Sequence, residues 1–274
     1  MYLKSLLLFL WLVGLGEWGF AQAGSFITHR MYSPFQADST NIRVLLPDSL
    51  MEGREYQVLY VLPVKERNHR KFGDGLEEVR KTNVHNTHHL ICVAPEFTRL
   101  PWYCNHATDS TKQDESHLLK TVLPFVDAHY PTLKGQQGRL LVGFSKSGWG
   151  SMSLLLRHPN LFWKAAVWDS GVRIDTGPMR EATREEKIGQ IFGSMETFRS
   201  YRLSWLIREK GKALGKEERL LYYNTEGNRA VGGAKIHMLL VQQGIPHRYL
   251  FESKRRHRWD SGWIPEAVRF LVDP

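Results

Sequence analysis

The spacing of apolar residues along this chain switches between two regimes. Nearly continuous apolar runs recur at residues 56–64, 90–97, 139–145, 164–170 and 219–225. Short runs of that kind read as strands buried on both faces. Segments 25–35, 41–46 and 248–252 complete eight strand candidates. Between the later ones the period lengthens to that of a helix, around 75–84, 117–130, 148–158, 231–243 and 265–272. In 117–130, for example, Leu118, Leu119, Val122, Leu123 and Val126 return at helical spacing and would bury one face. Two early strands joined by a turn at Gln36-Ala37-Asp38-Ser39, followed by strand–helix alternation, predict an α/β fold. Its central sheet should be mostly parallel, with helices on both faces. Segment 176–214 is longer than a simple crossover and is predicted mostly helical, as an excursion over the sheet edge. No repeat, low-complexity tract or linker interrupts the pattern, so residues 24–274 are expected to form a single domain.

Residues 1–23 follow neither regime. Lys4 precedes an apolar stretch from Leu6 to Leu15, and Ala21-Gln22-Ala23 offers a small-x-small cleavage site. This is the pattern of a secretory signal peptide cut after Ala23. The stretch is too short for an ordinary span, and no later segment reaches the roughly 20 apolar residues that a span needs. A retained anchor is the alternative. The expected destination is the periplasm or the extracellular space, without stable membrane insertion after cleavage.

Charge and cysteine content narrow the chemistry. The formal net charge is +9. One basic cluster, 208–219, alternates with acids as a solvated helix face does; the other is Lys254-Arg255-Arg256-His257-Arg258. No nucleic-acid motif accompanies the charge, so no nucleic-acid partner is expected. The second cluster would suit an anionic substrate. Cys92 and Cys104 are the only cysteines. An exported pair is able to bridge, but Cys92 lies in an apolar run where a buried free thiol is common, and the reading leans to no bridge. Neither a metal site nor a cofactor is expected. His85, His88 and His89 read as surface residues at the end of the molecule opposite the chemistry.

The chemistry centres on Gly143-Phe144-Ser145-Lys146-Ser147-Gly148, which joins the strand at 139–145 to the helix that follows. A strand–turn–helix elbow exposes a serine hydroxyl, and small residues around it let strand and helix pass closely. Carboxyl ends of strands carry the site in such sheets, and hydrolases of this build run in the order serine, acid, histidine. Four histidines follow Ser145: His158, His237, His247 and His257. His158 ends the helix after the elbow, His237 lies inside a helix, and His247 opens the last strand at its wrong end. His257 follows that strand, in the loop before the final helix, and is the expected base.

Several stretches resemble the putative esterase family of α/β-hydrolases, which includes esterase D-like, feruloyl and acetylxylan esterases and mycolyl-transferase relatives. Residues 56–62 resemble its third strand. Trp102-Tyr103 with Asn105, Glu115 and the helix at 117–130 resemble its WY loop and next helix. Residues 140–150 with Arg157-His158-Pro159 resemble the elbow, Phe192-Gly193 a later turn, and Gly244-Ile245-Pro246 through His257 and Trp259 the closing strand and histidine loop. The resemblance implies an α/β-hydrolase fold and a Ser-His-Asp/Glu triad. Ser147 stands where the elbow usually has glycine, and Pro63-Val64 replaces the usual His-Gly. The implied oxyanion donors are the N–H of Lys146 and one from the turn after the third strand, Val64 or Lys65. The family's aspartate aligns with Gly227, so the acid is either Asp169, at the end of the sixth strand, or Glu226. Asp169 is preferred, because a carboxylate after four apolar residues is rarely left unpaired. Trp102 and Tyr103 sit where aromatic rings would either stack on a sugar or arene or pack the loop itself. The resulting expectation is an exported serine carboxylic-ester hydrolase acting on small or carbohydrate-linked esters. An acyltransferase with the same triad and a non-catalytic binding protein on the same scaffold are the alternatives.

Overall fold

The structure, a computed structural model, describes residues 24–177 and 179–273. The signal-peptide segment lies outside the described residues. Eight strands form one sheet: β1 (Ile27–Ser33), β2 (Asp38–Leu45), β3 (Val58–Leu62), β4 (Ile91–Pro95), β5 (Arg139–Phe144), β6 (Lys164–Trp168), β7 (Leu220–Asn224) and β8 (Arg248–Phe251). Their order is β1-β2-β4-β3-β5-β6-β7-β8. The β1–β2 and β2–β4 pairs are antiparallel, and every other pair is parallel. The helices are α1 (Gly75–Lys81), α2 (Val84–Thr87), α3 (Asp114–His117), α4 (Leu123–His129), α5 (Lys146–Arg157), α6 (Glu181–Phe192), α7 (Met195–Tyr201), α8 (Leu203–Lys210), α9 (Ala230–Gln242) and α10 (Ile264–Val272). No helix among the described residues is long and apolar enough to cross a membrane.

The sheet separates two cores. Along β3, Val58, Tyr60 and Leu62 join one cluster and Leu59 and Val61 the other, as the two-residue period of a strand requires. The first cluster is closed by Val126 of α4, Met152 of α5, Leu206 of α8 and Ile236 of α9; the second by Leu76 of α1 and Val268 of α10. Both faces are therefore covered, which is why β3 through β7 are buried throughout.

Within the helical excursion, α8 packs on α5 and α9, where Leu203, Leu206 and Ile207 bury an apolar stripe. One expectation needs correction. His85 is not at the surface but 2% exposed, in α2 packed on α1. The helix expected at 117–130 begins earlier, with α3, and passes through a wider π turn at Leu118–Val122 before α4. Pro124 lies just beyond that turn and has no N–H to give to a carbonyl one turn back.

Candidate active site

Parallel register aligns the carboxyl ends of the strands. Leu62 pairs with Gly143, and Phe144 with Trp168. Val64 and Ser145 therefore lie equally far beyond one rung, and Ser145 and Asp169 just beyond the next. Ser145 caps the N-terminus of α5 with φ 56° and ψ −119°. That left-handed backbone is costly for a residue with a Cβ and persists where surrounding contacts over-determine it. Its N–H donates to Trp168 O at 2.9 Å, and its carbonyl accepts from Gly171 N–H at 2.7 Å. Gly143 is required beneath the elbow, since a Cβ there would sit 2.2 Å from the Ser147 carbonyl oxygen. Ser147, standing where glycine is usual, is fully buried and staples the turn. Its hydroxyl accepts from Phe144 N–H and donates to Phe144 O, both at 2.9 Å.

The structure brings Asp169 to His257. His257 Nδ1 donates to Asp169 Oδ2. The imidazole packs on Phe144, the residue before Ser145, with ring centroids 4.3 Å apart, and edge-on to Phe72. Asp169 is 1% exposed and also has a positive φ, 47°. Its other carboxylate oxygen accepts from Thr225 Oγ1 at 2.8 Å, and Arg229 Nε stands 3.7 Å from the first. Glu226 is exposed at the start of the short helical turn before α9 and does not join this group. Sequence reasoning missed Thr225 and Arg229. Thr225 directly follows β7, beside the strand that delivers Asp169, so strand adjacency was the signal that would have found it.

A cavity of about 660 Å³ opens in front of Ser145, with Lys146 and Trp102 in its wall. His257 is not part of that wall. Trp102 lies edge-on to Trp149 at 5.7 Å, and its N–H donates to Asp114 Oδ2 at 2.9 Å. Burial raises the Asp114 carboxyl to about 6 despite that bond. Tyr103, expected beside Trp102 as a substrate contact, is instead fully buried. Its ring lies over Gly150, where a Cβ would come within 2.2 Å, and its hydroxyl donates to Pro63 O at 2.5 Å. Tyr103 thus ties the loop after β4 to the Pro63–Lys65 turn, the turn expected to supply an oxyanion donor. Val64 is 3% exposed, within that turn. Cys92 and Cys104 are both buried and free. Among the described residues no cluster of side chains is suited to hold a metal ion.

A sequence model described as "Putative esterase" matches residues 34–172, half of the chain and the part that includes both Ser145 and Asp169. The chain belongs to this esterase family. Two curated proteins of Mycobacterium tuberculosis, "Esterase MT1326" of strain CDC 1551 / Oshkosh and "Esterase Rv1288" of strain H37Rv, are each 26% identical to it over 131 residues. That is 46% of this chain but only 28% of either relative. Among solved structures, S-formylglutathione hydrolase (FrmB) from Staphylococcus aureus is similar with a TM-score of 0.72 at 15% identity, over 91% of this chain and 99% of that one. A ferulic acid esterase gives 0.70 at 14% identity, over 90% and 97%. S-formylglutathione hydrolase from Agrobacterium tumefaciens gives 0.70 at 12% identity, over 89% and 93%. At these identities the likeness is one of fold, and it extends the α/β-hydrolase architecture over nearly the whole described chain.

Proposed function

We propose that this member of the esterase family is a serine carboxylic-ester hydrolase with Ser145 as nucleophile, His257 as base and Asp169 as the orienting acid. The observation that carries the reading is the His257 Nδ1–H to Asp169 contact at the same strand ends as the left-handed Ser145. With Nδ1 committed to the carboxylate, Nε2 is left as the basic nitrogen for the serine hydroxyl. Ser145 Oγ attacks the ester carbonyl as His257 takes its proton; the imidazolium then protonates the departing alcohol. Water, activated by the same histidine, releases the acid and frees the serine. The developing oxyanion rests on the N–H of Lys146, at the positive end of α5, and on one from the Pro63–Lys65 turn, Val64 being the closest in register. Trp102 lines the space the substrate occupies. Small or carbohydrate-linked esters are the proposed substrates, and residues 1–23 the export signal.

Replacing Ser145 with alanine should abolish turnover of 4-nitrophenyl acetate and labelling by a fluorophosphonate probe, with the melting temperature nearly unchanged. Undiminished turnover in that variant would refute the nucleophile. Labelling of the wild type together with transfer to an added alcohol, in place of hydrolysis, would point to the acyltransferase alternative.

A further inference from the structure

Positive charge near Ser145 differs in character from place to place. In the run around His257, Arg255 is matched by Glu266 and Glu252 and Arg258 by Asp260, while Lys254 and Arg256 are exposed. The cavity in front of Ser145 is not matched. Lys146, Arg173, Arg180, Lys187 and Arg229 all contribute to its wall, and no carboxylate does. Of these five, only Arg229 has an acid within ion-pair distance among the described residues, and that acid is the buried Asp169.

Helix α6 builds the asymmetry. Its acids Glu181, Glu185 and Glu186 stay off the wall, Glu181 engaging Arg184, while Thr183 and Lys187, one turn apart, line it and Arg180 caps the helix there. Like charges gathered around a concave, partly dehydrated space focus a positive field. Burial, and then the charges of Lys65, Lys187 and Lys71 against the opposing Glu66, draw the pKa of Lys146 below the usual lysine range; of these charges, Lys187 shares the cavity wall. Ser170, on the same wall and 3% exposed, has a buried hydroxyl with no partner among the described residues.

We propose that this cavity is an anion subsite, so that the ester cleaved at Ser145 carries carboxylate, phosphate or sulfate groups that Lys146, Arg173, Arg180 and Lys187 bind. None of the cations in the run 254–258 lines this cavity. This deepens the hydrolase reading and rests on it for the word ester. The binding part is tested without turnover.

The test compares 4-nitrophenyl pentanoate with the mono-4-nitrophenyl ester of glutaric acid, which adds one carboxylate at the far end of the acyl chain. At low ionic strength the anionic ester should have a kcat/KM about tenfold higher, since a few partly exposed charge pairs are each worth at most about 1 kcal/mol. Added sodium chloride should erode that ratio. The double variant Arg173→Gln with Lys187→Gln should bring it close to one. Lys134→Gln, an equal loss of positive charge per site at the far end of β5, should leave it in place. Separately, Ser145→Ala protein should bind citrate and inorganic pyrophosphate saturably by calorimetry, and lose both in the Arg173→Gln/Lys187→Gln background. A ratio near one in the wild type with no saturable anion binding overturns the proposal even if the neutral ester is hydrolysed. A ratio equally reduced by Lys134→Gln overturns it too, in favour of diffuse net charge. Anion binding without turnover of either ester keeps the subsite and sinks the hydrolase reading.

Discussion

Three residues with side chains hold a left-handed backbone around the site: Ser145, Asp169 and Tyr103. Each is held by contacts from a neighbouring element. Trp168 O accepts from Ser145 N–H, Tyr223 O from Asp169 N–H, and Pro63 O from the Tyr103 hydroxyl. Asp169 is central to the proposed triad at this scale: it contacts His257 Nδ1, where it would select the histidine tautomer, while Thr225 holds its second oxygen. Asp169→Asn should keep the fold but lower kcat by about 10⁴-fold, as loss of the correct tautomer does in serine triads. Glu226→Gln should change kcat less than about twofold, surface substitutions away from a site being nearly neutral. Steady-state kinetics on one short-chain ester decides between the two carboxylates, and the reverse ranking would displace Asp169.

At the scale of elements, the run from α3 through α4 anchors the loop that carries Trp102. Glu115 of α3 is 4% exposed and accepts from Arg157, His158 and the Tyr201 hydroxyl, joining α3, α5 and α7. Burial alone would raise its pKa, but His158, Arg157 and Tyr201 outweigh burial and hold the carboxyl at about 2, against an ordinary 4.5. A depressed carboxyl contributes stability that is whole above about 4.5 and is lost as pH falls towards 2. His117, held down to about 4 by burial against an ordinary 6.5, adds a loss between those two values, because the unfolded chain takes up its proton first. Glu115→Gln should cost about 3 kcal/mol at pH 7, the range for breaking one side of a buried charge pair. It should also lose less than the wild type on going from pH 4.5 to 2. Urea midpoints at several pH values measure both effects, and parallel acid limbs in the two proteins would refute the assignment to Glu115.

For the whole molecule, we infer from the one sheet and two cores of the described residues that they unfold together as a single domain. Protein starting at Gly24 should therefore unfold in one transition with matching calorimetric and van't Hoff enthalpies, and, on the proposal that residues 1–23 are an export signal, any exported protein should begin at that residue by N-terminal sequencing. Two resolved transitions would contradict the single domain, and an N-terminus at Met1 in the exported fraction would contradict cleavage.

Much of the architecture was legible in the sequence, for a local reason. Strand and helix periods report which faces are buried, so all eight strands and the helix after Ser145 followed from apolar spacing alone. The serine elbow was equally local, a few small residues between a strand and a helix. Choosing Asp169 over Glu226 was not local: the two lie 57 positions apart and compete for an imidazole from a third segment, so only strand register decides which carboxylate arrives. Tyr103 turned inward for the same kind of reason, because Gly150 on another element leaves room for its ring. The cationic wall escaped sequence reading altogether. Its members come from α5, from the segment after β6, from α6 and from the start of α9, and a charge cluster assembled from distant segments exists only once the chain has folded.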